Sequence, residues 1–164
     1  HALASIRLCW GPMVTLGRGC FWEIFSPEWV PFLSDGDKAP TMPSYCHPWS
    51  SGVTAWLSNV LGGIQPLFPG YSEFVATPHV STRYPNVSTV VPTPAGSISV
   101  AAALHNGDRS NNGETNSIRS IVITVKATVP GFVGIPKYMT SHHDDVMTQV
   151  PAGCGFIDAH DVLV

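Results

Sequence analysis

Charge is scarce in this 164-residue sequence: Asp, Glu, Lys and Arg make up 12% of it, against about 25% in an average globular chain. Ser, Thr, Asn, Gly and Pro are abundant instead, so the surface has to be mostly uncharged and polar, and such a surface resists self-association weakly. No cluster of Lys or Arg occurs and the net charge is -3, so the chain offers no basic field for holding phosphates and no nucleic-acid partner is expected. No apolar run approaches the roughly 20 residues that cross a bilayer, and no membrane partner is expected either. The four cysteines, Cys9, Cys20, Cys46 and Cys154, lack CxxC spacing, which argues against a zinc knuckle or a thioredoxin-type redox site. An oxidising compartment is compatible with them, and their pairing stays open. There is no internal repeat, nucleophile elbow, phosphate-binding glycine loop or calcium loop. No cofactor and no metal is expected.

The length suffices for one ordinary domain, or for a small helical piece joined to a compact β domain. The sequence starts at His1 without an apolar signal segment, which reads as a processed or excised chain. Leu3, Ile6, Trp10 and Met13 recur at near-helical spacing and predict a helix with one apolar face, disturbed near its end by Gly11-Pro12. After a loop rich in Pro, Gly and Asp from Ser34 to Pro43, Ser50 or Ser51 is placed to cap a second helix. Its Val53, Trp56, Leu57, Val60 and Leu61 follow the i, i+3, i+4, i+7, i+8 pattern, and Gly62-Gly63 ends it.

From about Gln65 the texture changes to short alternating segments punctuated by Pro, Gly and Asn, the composition of an antiparallel β domain. Ile98, Val100, Ala102 and Leu104 share one face of a strand over Ser97 to Leu104. Ile121, Ile123, Val125, Ala127 and Val129 share one face over Ser120 to Val129. Between them, His105 to Ser117 reads as an exposed loop. The expected fold class is α+β, a short helical segment over residues 1–64 followed by an antiparallel β-sandwich over residues 65–164, with an unassigned tail from about residue 139. Asn86-Val87-Ser88 is a glycosylation acceptor triplet, which suits an extracellular, secreted chain.

Three separated motifs carry a resemblance. Trp10-Gly11-Pro12-Met13, Gly17-Arg18-Gly19-Cys20-Phe21-Trp22-Glu23-Ile24-Phe25 and Cys46-His47-Pro48-Trp49-Ser50-Ser51-Gly52 together resemble the closing helices of bacterial and fungal α-L-rhamnosidases, glycoside hydrolase family seventy-eight. Val60 to Leu67 and Pro69-Gly70-Tyr71 are similar to that family's exit from its (α/α)₆ barrel into a C-terminal β-sandwich. The resemblance covers most of residues 1–138. It implies that Glu23 is the general base that activates water and that His47 contacts the rhamnose ring.

Inverting glycoside hydrolysis needs one carboxylate to deprotonate water and a second acid, roughly 6.5 to 9.5 Å away, to protonate the leaving oxygen. Glu23, flanked by Phe21, Trp22 and Phe25, is a carboxylate in an aromatic setting suited to a raised pKa. Trp22 and Trp49 are candidate sugar platforms. Plainer readings stand beside these: Glu23 as a solvated helix residue, His47 as a structural histidine, and Trp22, Trp49 and Trp56 as core. Cys20-Phe21 stands where the family has small and hydroxyl residues, which crowds the site. The family's general acid belongs to upstream barrel helices, so these residues alone are expected to be catalytically incompetent. His142-His143-Asp144-Asp145 and His160-Asp161 have ligand-type side chains, but adjacent residues on an extended segment point to opposite sides and converge poorly on a metal.

Two functional classes follow. In the first, the chain is a fragment of a rhamnosidase-like hydrolase acting on a rhamnose-containing carbohydrate, completed by the missing N-terminal portion of the barrel. In the second, it is a non-catalytic sugar-binding or structural module that pairs with other copies of itself as a homo-oligomer or filament.

Overall fold

The computed structural model describes residues 1–15, 19–26, 28, 44–106, 119–136 and 147–151. The described chain divides into two compact units, His1–Ala55 and Trp56–Val164. The expected loop from Ser34 to Pro43, most of the loop before Ser117, and the His142 and His160 clusters lie outside the described residues.

In the first unit, helix α1 (Ala2–Thr15) carries Pro12 within its last turn. Proline has no N–H to give, and here its ring is buried beside Met13. Leu3, Ile6 and Trp10 are half-buried on the same side, as their spacing predicts, while Leu8 and Val14 are 54% and 84% exposed. A 3₁₀ turn over Pro48–Ser51 leads into α2 (Gly52–Trp56). The cap is His47, with extended backbone (φ -134°, ψ 122°) and a side chain that accepts from the Trp49 N–H. The expectation of Ser50 or Ser51 as cap is therefore corrected: Pro48 sets the first turn at its own position, which moves the cap upstream to His47.

The second unit begins with the π-type turn Leu57–Leu61, closed by Gly62 N–H donating to Leu57 O at 2.8 Å. Seven strands follow among the described residues: β1 (Ile64–Pro66), β2 (Phe74–Ala76), β3 (Asn86–Thr93), β4 (Gly96–Asn106), β5 (Arg119–Lys126), β6 (Gly131–Gly134) and β7 (Met147–Val150). They form a four-stranded sheet in the order β1-β2-β6-β7 and a three-stranded sheet β3-β4-β5. Ile64, Phe74, Ala76, Val133 and Val150 of the first sheet share one core with Val87, Ile98, Val100, Ala102, Ile121, Ile123 and Val125 of the second. Two sheets closing on a common apolar layer make a sandwich. Burying each large aliphatic residue there stabilises by about 1.5–3 kcal/mol.

The alternation read from Ile98 to Leu104 and from Ile121 to Val129 corresponds to the buried faces, although β5 ends at Lys126 and β4 runs on through Asn106, taking His105 and Asn106 out of the loop. One pairing departs from an all-antiparallel sheet. β2 and β6 are parallel, with Phe74 opposite Gly131 and Ala76 opposite Val133. A parallel pair needs a long crossover, and here the crossover contains the whole second sheet.

Candidate functional site

The first unit brings two sequence-distant strips together. Phe21 O accepts from His47 N–H at 2.7 Å and Glu23 N–H donates to Ser44 O at 2.9 Å, so the strip bearing Glu23 runs beside the strip bearing His47. Side chains reinforce the pairing. The Trp49 indole Nε1 donates to Glu23 O at 2.6 Å, and the Ser50 hydroxyl donates to Trp22 O at 2.6 Å. Ser50 O in turn accepts from Trp10 Nε1 of α1 at 2.9 Å. Helix α1, the Glu23 strip and the 3₁₀ turn are thus linked through one serine. Neither the Ser50 Oγ bond nor the Trp10 Nε1 bond has a signal in the sequence pattern.

Glu23 is half-buried, and its carboxylate makes no hydrogen bond or ion pair among the described residues. Beside it, Trp49 is 67% exposed and its ring lies 5.0 Å from the His47 ring at 47°. The two rings form an aromatic ledge. His47 Nδ1 accepts from Trp49 N–H at 3.3 Å, which in the neutral ring places the proton on Nε2.

Trp22 is placed differently from Trp49. It is 1% exposed, with Phe25 and Tyr45 rings each 5.6 Å away, the latter edge-on. Its backbone N–H lies 3.5 Å from Met13 Sδ. Its ring therefore supports the Glu23 strip from inside the unit. The indole Nε1 is buried without an acceptor among the described residues, which costs about 1–3 kcal/mol.

Asn86 opens β3 and is exposed, at the rim of a shallow concavity on the outer face of the three-stranded sheet lined by Ser88, Ala101, Ala103, Val122 and Thr124. Among the described residues, no three His, Cys, Asp or Glu side chains gather into a metal-binding group. No helix among them is long and apolar enough to cross a membrane.

No protein-family profile matches the chain, and no curated protein sequence matches it. Solved structures do match. The native α-L-rhamnosidase from Aspergillus terreus superposes with a TM-score of 0.62 at 19% identity over 92% of this chain. The Streptomyces avermitilis α-L-rhamnosidase complexed with L-rhamnose superposes with a TM-score of 0.55 at 18% identity over 88%. The chain spans 15% and 14% of those two proteins. At such identities the likeness is one of fold.

Proposed function

We propose that this chain is a C-terminal portion of a secreted rhamnosidase-like glycoside hydrolase, in which Glu23 is the general base and His47 and Trp49 contact the sugar. The observation that carries the reading is the pairing of the Glu23 strip with the His47–Trp49 ledge by hydrogen bonds of 2.6 to 2.9 Å, in a chain whose fold matches parts of two α-L-rhamnosidases. The substrate is a rhamnose-containing carbohydrate. Glu23 takes a proton from water as the water attacks the anomeric carbon. His47 Nε2 donates to a ring hydroxyl, Trp49 lies against the sugar's apolar face, and Trp22 holds the strip in place beneath.

The proton for the leaving oxygen comes from an acid carried by the upstream barrel helices, the partner that completes the site. Glycosylation at the exposed Asn86 is consistent with secretion. In the complete protein, Glu23→Gln lowers kcat for release of L-rhamnose from an aryl rhamnoside by roughly 10²–10⁴-fold with KM little changed. Unaltered turnover in that variant would remove Glu23 from the role of base.

The exposed Leu8 and Val14 of α1 favour a second reading, a non-catalytic sugar-binding or structural module that associates with copies of itself. Native mass measurement separates the two: a longer parent or a bound upstream part goes with the hydrolase, and a homo-oligomer or filament of this chain alone with the module.

A further inference from the structure

The outer face of the three-stranded sheet carries a hollow where β3 begins. The ladder sets Asn86 opposite Ala103 and Ser88 opposite Ala101. On the other side of β4 it sets Ala103 opposite Val122 and Ala101 opposite Thr124. Alternation along each strand turns these six side chains to one face, the face away from the core, because Val87, Ala102 and Ile123 between them are buried. The methyl groups of Ala101 and Ala103 make the floor, with longer side chains on either side. The hollow measures about 340 Å³, at the small end of the roughly 300–1,000 Å³ of ligand clefts, which suits one sugar ring rather than a chain of them.

No charged or aromatic side chain lines the hollow, so little there holds a free ligand. A tethered ligand differs, because a short flexible tether keeps it at an effective concentration on the order of millimolar. The tether stands at the rim. Asn86 is exposed, its side-chain amide makes no hydrogen bond among the described residues, and Asn86-Val87-Ser88 is the only Asn-X-Ser/Thr triplet in the sequence. Among the described residues β3 is also an edge strand, where a bulky polar cover blocks pairing with another chain.

We propose that this hollow is the seat of an N-linked glycan: the first N-acetylglucosamine, joined to Asn86, lies across Ala101 and Ala103 with its apolar side against their methyl groups. The seat rests on the glycosylation of Asn86 put forward above and is independent of any role for Glu23. In the attachment, Asn86 Nδ2 bonds to the anomeric carbon of a lipid-pyrophosphate-linked oligosaccharide and gives up one proton. The lipid pyrophosphate leaves with the electron pair of the broken C–O bond. The sugar then covers methyl surface that is otherwise wet, so its first ring stabilises the β unit.

The test is to secrete the 164-residue chain from yeast and compare it as secreted, trimmed by endoglycosidase H to a single N-acetylglucosamine, and stripped by peptide-N-glycosidase F, which converts Asn86→Asp. The tryptic peptide 84–109 carries the sugar mass. The trimmed form is expected to keep the thermal midpoint of the secreted form, and the stripped form to melt roughly 2–5 °C lower. Wild-type chain made in bacteria, with Asn86 bare, melts with the stripped form, which separates the sugar from the new charge. Ala103→Leu fills the hollow and leaves the triplet intact, so its trimmed and stripped forms melt together. A peptide 84–109 without sugar overturns the seat and the glycosylation alike. Where the sugar is present, an unmoved midpoint on stripping, a full fall on trimming alone, or bacterial chain that melts with the trimmed form overturns the seat and leaves the glycosylation standing.

Discussion

Ser50→Ala tests the physical basis of the candidate site, because a single hydroxyl there holds the Glu23 strip to the 3₁₀ turn. Its bond to Trp22 O is 2.6 Å long, short even for an O–H···O contact. Trp22 itself is 1% exposed, so water has poor access to the carbonyl once the hydroxyl is gone. An ordinary internal hydrogen bond contributes about 0.5–1.5 kcal/mol net, and a buried acceptor left alone costs about 1–3 kcal/mol. The expected loss is therefore about 1–2 kcal/mol.

Trp49→Phe removes a bond of the same 2.6 Å length from a residue that is 67% exposed. Water replaces that partner, so the loss stays below about 0.5 kcal/mol. Urea unfolding followed by tryptophan fluorescence is the assay, since four of the five tryptophans lie in residues 1–55. With a slope of about 1–2 kcal/mol/M for a unit of this size, Ser50→Ala lowers the midpoint by roughly 0.5–1 M or more and Trp49→Phe by less than half as much. An unmoved midpoint in Ser50→Ala, or a larger drop in Trp49→Phe, would refute the reasoning.

Two further predictions concern the β unit. Gly63 has φ +71°, and a Cβ built there would run into the Thr77 carbonyl, so Gly63→Ala loses roughly 2 kcal/mol or more in denaturant unfolding. A variant as stable as wild type would mean that this turn tolerates a side chain. His79 is half-buried, and burial lowers its pKa below its ordinary 6.5. The unfolded chain then binds the proton more readily, so this contribution to stability is complete above about pH 6.5 and is lost as the pH falls through the lower folded value. Urea midpoints measured from pH 8 down to pH 5 fall more steeply in wild type than in His79→Gln, and parallel curves would exclude the histidine as the cause.

The parts of the fold that were legible from sequence are those with a long period. Ile98, Val100 and Ala102 against Ile121, Ile123 and Val125 alternate over enough residues to mark a buried face, and they pair in the register Val100 to Val125 and Ala102 to Ile123. The parallel pairing of Phe74–Ala76 with Gly131–Gly134 was not legible, because strands of three and four residues are too short to show a period. Met147–Val150 likewise lay in the unassigned tail, yet it pairs with β6.

At the site, the residue types and order at Phe21-Trp22-Glu23 and Cys46-His47-Pro48-Trp49 mark two segments that the structure pairs. Their antiparallel contact did not follow from the sequence, because two backbone hydrogen bonds across the intervening residues leave no mark on side-chain pattern. The same limit explains why Trp22 and Trp49 looked alike in sequence. Only the packing of Phe25 and Tyr45 around Trp22, with Trp49 left exposed, tells them apart.

The central claim is that the His47–Trp49 ledge beside Glu23 is a sugar-contacting surface. Its most direct test is a titration of the ¹⁵N-tryptophan-labelled chain with L-rhamnose, following the indole N–H resonances. The account predicts a saturable shift of Trp49 in the millimolar range with Trp56 unmoved, and loss of that shift in His47→Ala. A Trp49 resonance that stays in place at saturating sugar, or that moves equally with glucose, would contradict it.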